Sequence, residues 1–108
     1  MGWSVVMFDL PVMTTKERKT ATKFRKFLLD DGYAMAQYSV YMRFCGSYEA
    51  MEKHTKRLLP EVPEGGNVKV FFLTEKQWEK AINCVGQEYL EKKQQIDPEQ
   101  PKLFAVWG

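Results

Sequence analysis

The stretch Trp3-Ser-Val-Val-Met-Phe-Asp-Leu-Pro11 decides the fold of this chain. Its first six residues are an apolar run with β-branched and aromatic side chains, a composition typical of a buried β-strand. Pro11 has no backbone N–H to donate to a strand ladder, so the chain is expected to leave the sheet there. Asp9 is therefore predicted to lie at the end of a buried strand, just before a turn.

The segment after Pro11 has the pattern of an amphipathic helix. Thr14 and Glu17 have the spacing of a capping box, which predicts a helix beginning after Thr14. Gly32 is suited to the position that follows the helix, so the helix is expected to end near Asp31. The side chains predicted to face the core recur at helical spacing: Ala21, Phe24, Leu28 and, beside them, Phe27.

Residues 33–44 have the composition of a long strand with two different faces. One face carries Tyr38, Val40, Met42 and Phe44, and the other carries Gln37, Ser39, Tyr41 and Arg43. Because the run is long, a kink or bulge near residues 37–39 is expected to split it in two.

The second half of the core contains three further predicted elements and a loop. Ser47 can cap a helix that runs to about Leu59, and a loop rich in proline and glycine follows it. Residues 68–73 are predicted to form a strand, and residues 74–78 a short capped helical turn that includes Trp78. Ala81–Val85 is predicted to be a short final core strand, ended by Gly86.

This order of elements predicts an α+β fold, a ferredoxin-like βαββαβ sandwich with two helices on one face of an antiparallel sheet. Residues 1–86 are expected to form this core, and residues 87–108 a polar linker followed by an apolar strand, Lys102–Trp107. A terminal apolar strand needs a sheet edge to pair with. We expect that edge to belong to a second protomer.

Composition narrows the classes of function. The chain has 108 residues, which is one domain, and a net charge of only +2. A single histidine, His54, excludes a His-rich zinc site within one chain and makes a Cys/His nucleophile pair unfavourable. Cys45 and Cys84 fit no CxxC pattern and are expected to be reduced thiols. No apolar stretch is long enough to span a membrane, and no signal peptide is visible, so a cytoplasmic protein is predicted.

The predicted first helix concentrates positive charge. Six cations lie within eleven positions, against the one acid Glu17: Lys16, Arg18, Lys19, Lys23, Arg25 and Lys26. They fit an ordinary solvated helix face, and they also fit a strip that contacts phosphates and releases counterions on binding. Both interpretations stay open at the level of the residues, as they do for Arg43, which can pair with a phosphate or with a nearby acid.

Asp9 is the candidate catalytic and metal-binding residue. A carboxylate at a strand end can coordinate magnesium, which prefers one or two carboxylates together with waters and phosphate oxygens. One carboxylate is a poor site, whereas two copies that meet across a twofold axis make a better one. Alternatively, Asp9 accepts backbone hydrogen bonds in the turn and has no further role.

The order of several short motifs resembles the CRISPR-associated endoribonuclease family in its smaller, type II form. The motifs are Phe8-Asp-Leu-Pro11, the basic helix with Arg18 and Phe24-Arg-Lys-Phe-Leu28, Gly32-Tyr33, Gln37-Tyr-Ser-Val-Tyr41 and Thr74-Glu-Lys-Gln-Trp78. The match covers roughly residues 3–86. Each motif is weak alone, but their order and spacing together are specific.

The resemblance implies a symmetric homodimer in which the C-terminal strand of each protomer pairs with the sheet of the other. It implies that Asp9 faces its twin across the dimer axis and holds Mg²⁺, which in some members supports cleavage of RNA or DNA. It also implies a role in adaptation, with the CRISPR integrase and duplex DNA as partners. The residues expected to contact nucleic acid are Arg18, Lys19, Arg25, Lys26, Ser39 and Arg43.

Three functional hypotheses follow. The chain is a binding and scaffolding protein for spacer integration, or a Mg²⁺-dependent nuclease that cuts single-stranded RNA or duplex DNA with Asp9 as metal ligand. The alternative is a ferredoxin-like toxin ribonuclease or RNA-binding module outside CRISPR, in which Tyr38 with Phe71 or Phe72 would stack bases.

Overall fold

The computed structural model describes residues 1–86, which contain a four-stranded antiparallel sheet with strand order β2-β3-β1-β4. This arrangement confirms the predicted α+β, ferredoxin-like fold. The elements are β1 (Gly2–Asp9), α1 (Thr15–Asp30), β2 (Ala34–Gln37), β3 (Val40–Cys45), α2 (Tyr48–Leu58), a 3-10 turn (Leu59–Glu61), β4 (Asn67–Thr74) and α3 (Glu75–Glu79).

The quoted N-terminal stretch forms β1, which lies in the middle of the sheet between β3 and β4. Its even-numbered side chains face the helices, where Val6 and Phe8 join one core cluster with side chains of α1 and α2. Its odd-numbered side chains face the other side, where Trp3 and Val5 join a smaller cluster. The strand is thus buried on its helix side and partly buried on the other, which explains its apolar sequence.

Helix α1 is built as its sequence predicts. The Thr14 hydroxyl accepts from the N–H of Glu17 (3.0 Å), and the Glu17 carboxylate accepts from the N–H of Thr14 (2.9 Å). The buried stripe is Ala21, Phe24 and Leu28. Gly32 follows the helix at φ +92°, a conformation that glycine adopts without steric cost.

The predicted split of the long strand is confirmed. β2 and β3 are separated by a turn in which Ser39 has φ +66°, and the register shifts between Met35 and Gln37. The Ser39 carbonyl accepts from the N–H of Phe8 (3.1 Å), which fixes the turn against β1. Along β3 the faces alternate as expected, with Tyr41 in the helix-side cluster and Met42 in the opposite one.

The prediction of a final core strand at Ala81–Val85 is wrong. Residues 81–86 are exposed and carry no strand, and the Ile82 side chain is 86% exposed. Both edges of β1 are already paired, so the core has no central position left for this segment. The apolar contact with the sheet at this point of the chain is made instead by Trp78 of α3, whose ring centroid is 5.8 Å from that of Trp3. The predicted partner-pairing strand Lys102–Trp107 lies outside the described residues.

Candidate metal centre and nucleic-acid interface

Asp9 is solvent-exposed at the end of β1, on the face of the sheet that points away from the helices. Asn67 is its partner across the β1–β4 ladder, and Lys69 is the partner of Met7. These four residues and Phe8 line one open cleft. The strand end therefore presents a carboxylate, an amide and an ammonium group to solvent on one surface.

The oxygen donors at this end suit magnesium better than a transition metal. Mg²⁺ takes carboxylate and carbonyl oxygens and keeps several waters, so Asp9 and the amide oxygen of Asn67 are suitable donors. Within residues 1–86, however, no group of three or more His, Cys, Asp or Glu side chains could hold a metal ion. One protomer thus offers a partial ligand set, as the sequence predicts.

Beyond the polar end at Asp9, the same sheet face is mainly apolar. Trp3, Val5 and Met42 lie on it, partly covered by Trp78. Other large side chains of this face stay well exposed, at 42% each: Met7, Phe44 and Phe71. A sheet face of this composition is suited to packing against a second apolar surface.

Among the cations of α1, some side chains extend into solvent and others contact neighbouring residues. Lys19 and Lys26 are exposed on the outer side of the helix. Arg18 is also exposed, but its guanidinium donates to the carbonyls of Val12 (3.2 Å) and Met13 (3.3 Å) and to the Thr15 hydroxyl. Arg18 therefore fixes the loop before α1 while its charge remains at the surface.

Arg25 is held by aromatic rings. Its guanidinium carbon lies 5.5 Å from the centroid of the Tyr38 ring and 5.9 Å from that of Phe8. Tyr38 is in the turn between β2 and β3 and is 78% exposed. Cation–π contacts of this kind stabilise the position of the guanidinium without using its N–H groups.

Tyr41 and Ser39 complete this region. Burial raises the pKa of the Tyr41 phenol, and the charge of Arg25 opposes that shift. The Tyr41 hydroxyl is buried and has no hydrogen-bond partner among residues 1–86. Ser39, predicted to contact nucleic acid, is half-buried, and its carbonyl is engaged with Phe8.

Arg43 lies apart from these residues, in a polar network at the C-terminal end of α1. Its guanidinium donates to the carbonyl of Asp31 (2.8 Å) and to Nε2 of His54 (3.0 Å). Nδ1 of His54 in turn is 3.0 Å from the Asp31 carboxylate, which also bonds Arg57. These contacts are to a backbone carbonyl and a histidine nitrogen and not to the carboxylate of a nearby acid, and a contact of Arg43 with phosphate stays a prediction.

The network fixes the state of His54. Because Nε2 accepts from Arg43, the ring proton is on Nδ1 and is donated to Asp31. Burial, with the Arg43 charge as a second cause, lowers the pKa of His54. The sequence alone did not reveal this network, since Asp31, Arg43 and His54 are far apart along the chain; the only local signal was the i, i+3 spacing of His54 and Arg57.

Comparison with known proteins identifies similar chains. The family model described as "CRISPR associated protein Cas2" matches residues 1–81. A curated protein of Flavobacterium psychrophilum, named CRISPR-associated endoribonuclease Cas2, is 54% identical over 76 residues, which is 70% of this chain and 66% of that protein. A protein of the same name from Paracidovorax avenae is 46% identical over 102 residues, 94% of this chain and 93% of its own length.

The fold has a solved counterpart. The crystal structure of Streptococcus pyogenes Cas2 at pH 6.5 covers 78% of this chain and 99% of its own, with a TM-score of 0.58 and 21% identity. That likeness concerns the fold. In the described part of the chain, no helix is both long enough and apolar enough to cross a bilayer.

Proposed function

The chain belongs to the CRISPR-associated protein Cas2 family, and we propose that it acts in CRISPR adaptation as a cytoplasmic homodimer that binds duplex DNA and bridges the spacer integrase. The family membership favours this role over the alternative of a toxin ribonuclease outside CRISPR. The observation that supports DNA binding is the outer surface of α1, where Lys19 and Lys26 are exposed together with Lys16 and Lys23.

This surface suits a phosphate backbone. Lys19 and Lys26 are seven residues apart on a helix, so they project from the same side two turns apart. Each lysine that neutralises a phosphate releases condensed counterions, which makes binding favourable at low salt and steepens its salt dependence. Because the net charge of the chain is only +2, the attraction depends on this local concentration of charge.

The apolar sheet face supports the homodimer. Met7, Phe44 and Phe71 are large side chains left 42% exposed on one continuous face. A second copy of the same face would remove them from water, and a twofold axis that passes close to Asp9 would bring the two Asp9 carboxylates toward each other. The protomer then binds its twin through the sheet face and nucleic acid through α1 on the opposite side.

The test of DNA binding compares two pairs of exposed lysines. In the double variant Lys19→Ala/Lys26→Ala, the slope of log K against log salt for duplex DNA should flatten by about 1.8 if both lysines contact phosphates. Lys53→Ala/Lys56→Ala on α2 removes the same charge from another exposed surface and should leave the slope near that of the wild type. Equal slopes for the two double variants would contradict the assignment of α1.

A second candidate function is Mg²⁺-dependent cleavage of single-stranded RNA or duplex DNA at Asp9. The observation that favours it is the exposed carboxylate at the end of β1, with Asn67 and Lys69 in the same cleft. Mg²⁺ held there would activate a water and polarise the scissile phosphate. Asp9 and Asn67 would supply oxygen ligands, and the Lys69 ammonium would attract the phosphate backbone into the cleft.

A nuclease assay with and without Mg²⁺ tests this candidate. Asp9→Asn should abolish cleavage of both substrates, because an amide is a much weaker magnesium ligand than a carboxylate. Asp30→Asn is the matched control, since Asp30 is also exposed but lies at the end of α1. Cleavage that survives Asp9→Asn would place the activity at another site or in a contaminant.

A further inference from the structure

Tyr38 occupies an unusual position for a large aromatic side chain. It is 78% exposed, and the next residue, Ser39, has the left-handed backbone conformation φ +66°. Non-glycine residues rarely adopt this conformation, and it marks sites where the surrounding structure holds the backbone in place. Here the bond from the Phe8 N–H to the Ser39 carbonyl (3.1 Å) provides that restraint. The turn therefore presents the Tyr38 ring to solvent from a fixed backbone.

Arg25 supports the ring from the protein side. Its guanidinium carbon is 5.5 Å from the Tyr38 centroid, and the same group lies 5.9 Å from the ring of Phe8. No acceptor among residues 1–86 takes a hydrogen bond from the Arg25 guanidinium. With respect to the described residues its N–H groups are unengaged, and they can donate to an external acceptor such as a phosphate oxygen.

Tyr41 gives a second, independent indication of a ligand at this place. Its side chain is 1% exposed, and its ring lies 5.5 Å from that of Phe8, the ring that Arg25 also contacts. Its hydroxyl has no hydrogen-bond partner among residues 1–86. Buried polar groups are nearly always paired, so a hydroxyl without a partner among residues 1–86 leaves a hydrogen-bonding capacity unused in the cluster that holds Phe8, Arg25 and Tyr38.

Resting on the nucleic-acid binding proposed above, we propose that Tyr38 is a stacking platform for an unpaired nucleobase, held in position by Arg25. The exposed ring face takes the base, and the N–H groups of Arg25 contact the adjoining phosphate. Lys26, the next residue on α1, extends the contact along the backbone of the bound strand. Every base has a π face, so this platform favours single-stranded nucleic acid with little preference for sequence.

The location of the ring separates this site from the dimer surface. Tyr38 contacts Arg25 of α1, and Phe8 and Tyr41 belong to the core cluster on the helix side of the sheet. The apolar face proposed for the second protomer is on the other side, with Met7 and Phe71. The platform thus remains accessible when the sheet faces are paired.

The experiment uses a single-stranded RNA oligonucleotide that carries one 2-aminopurine, together with the same oligonucleotide made abasic at that position. Stacking on Tyr38 should quench the 2-aminopurine fluorescence in the wild type and in Tyr38→Phe. Tyr38→Ala should lose the quenching and bind about tenfold more weakly, whereas its affinity for the abasic strand should match that of the wild type. The matched control is Tyr48→Ala, because Tyr48 is 54% exposed and packs against Phe72 near the opposite end of β1.

The outcomes separate this inference from the proposed function. Unchanged quenching and affinity in Tyr38→Ala, or equal losses in Tyr38→Ala and Tyr48→Ala, would overturn the platform. Absence of RNA binding by the wild type would overturn it as well, while duplex DNA binding with a salt slope carried by Lys19 and Lys26 would leave the proposed function intact. A single-stranded DNA of the same sequence should give the same quenching, since the ring contacts the base and not the sugar.

Discussion

Arg43 and Arg25 both contact or belong to α1, but their guanidinium groups have different kinds of partner. Arg43 reaches the C-terminal end of the helix from β3 and donates to the Asp31 carbonyl and to Nε2 of His54. Arg25 projects from the helix itself and lies against the rings of Phe8 and Tyr38. Both side chains are half-buried, and both carry the same charge.

The difference lies in what happens to the N–H groups. A guanidinium has five N–H donors in a planar fork, and each donor that is engaged internally, such as Nε and Nη1 of Arg43, is lost to a ligand. Arg43 stabilises the fold because it satisfies a helix-end carbonyl and a neutral histidine. Arg25 is positioned by ring faces, and no acceptor among residues 1–86 engages its fork. Charge and burial alone do not distinguish these two roles; the partner atoms do.

The largest effect we expect is on stability, from Arg43→Ala. Removing the guanidinium leaves the Asp31 carbonyl and Nε2 of His54 without donors, which should lower the free energy of unfolding by about 3 kcal/mol. Arg25→Ala loses two cation–π contacts and should cost only about 1 kcal/mol. Urea denaturation of the two variants measures both values. Equal losses of unfolding free energy in Arg25→Ala and Arg43→Ala would contradict the different roles assigned to the two arginines.

The second effect tests how tightly Arg43 is enclosed. Gly32 has φ +92°, and a Cβ at this position would collide with Nη1 of Arg43. Gly32→Ala should therefore lower the free energy of unfolding by about 2 kcal/mol, from backbone strain together with displacement of the guanidinium. Gly46→Ala is the control, because nothing lies within 4 Å of a Cβ there. Thermal unfolding of both variants should show a large shift for position 32 and almost none for position 46.

The third prediction concerns binding. If the free N–H groups of Arg25 contact a phosphate, Arg25→Ala should weaken binding of single-stranded RNA about fivefold, close to 1 kcal/mol. Arg43→Ala, measured at a temperature where it is folded, should bind as the wild type does. Fluorescence anisotropy gives both dissociation constants. A loss confined to Arg43→Ala would reverse the roles assigned to the two arginines.

The sequence predicted the elements around these arginines because the signals for them are local. The capping box at Thr14 and Glu17, the buried stripe of α1 and the kink before Val40 depend on residues close together along the chain. Ala81–Val85 was predicted wrongly for the complementary reason. Its apolar residues suit a strand, but whether a strand forms depends on pairing with a strand that is distant along the chain, which local sequence does not show.

The candidate site was predictable in part. Asp9 stands out because it ends an apolar strand before a proline, and the structure confirms that position at the end of β1. Arg25 and Arg43 look alike in the sequence, since both are basic residues next to aromatic ones. Their difference depends on Asp31 and His54, which are 12 and 11 residues from Arg43, and on Tyr38, which is brought to α1 only by the folded turn.

The smallest effect we expect is a pH dependence of the free energy of unfolding, which arises from His54 beside Arg43. His54 is faced by Asp31, Arg43 and Arg57, and its pKa in the folded protein is lowered, first by burial and then by the Arg43 charge. In the unfolded chain the pKa is near its ordinary value of about 6.5. As the pH falls below that value, the unfolded state takes up a proton before the folded state does. The free energy of unfolding should therefore decrease on acidification and stop decreasing once the pH is below the folded-state pKa.

The geometry gives this pH dependence its cause. A proton on Nε2 of His54 would point at the Nε–H of Arg43, so the hydrogen bond between them would be replaced by repulsion of two donors. Urea denaturation between pH 7.5 and pH 5.5 should show the decrease in the wild type and a flatter profile in His54→Gln, which has no titrating ring. Rising stability on acidification would mean that the Asp31 carboxylate, and not Arg43, has the larger effect on the pKa of His54. Arg25 lies against Phe8 and Tyr38, and no histidine among residues 1–86 contacts it, so Arg25→Ala should follow the wild-type profile, offset by a constant.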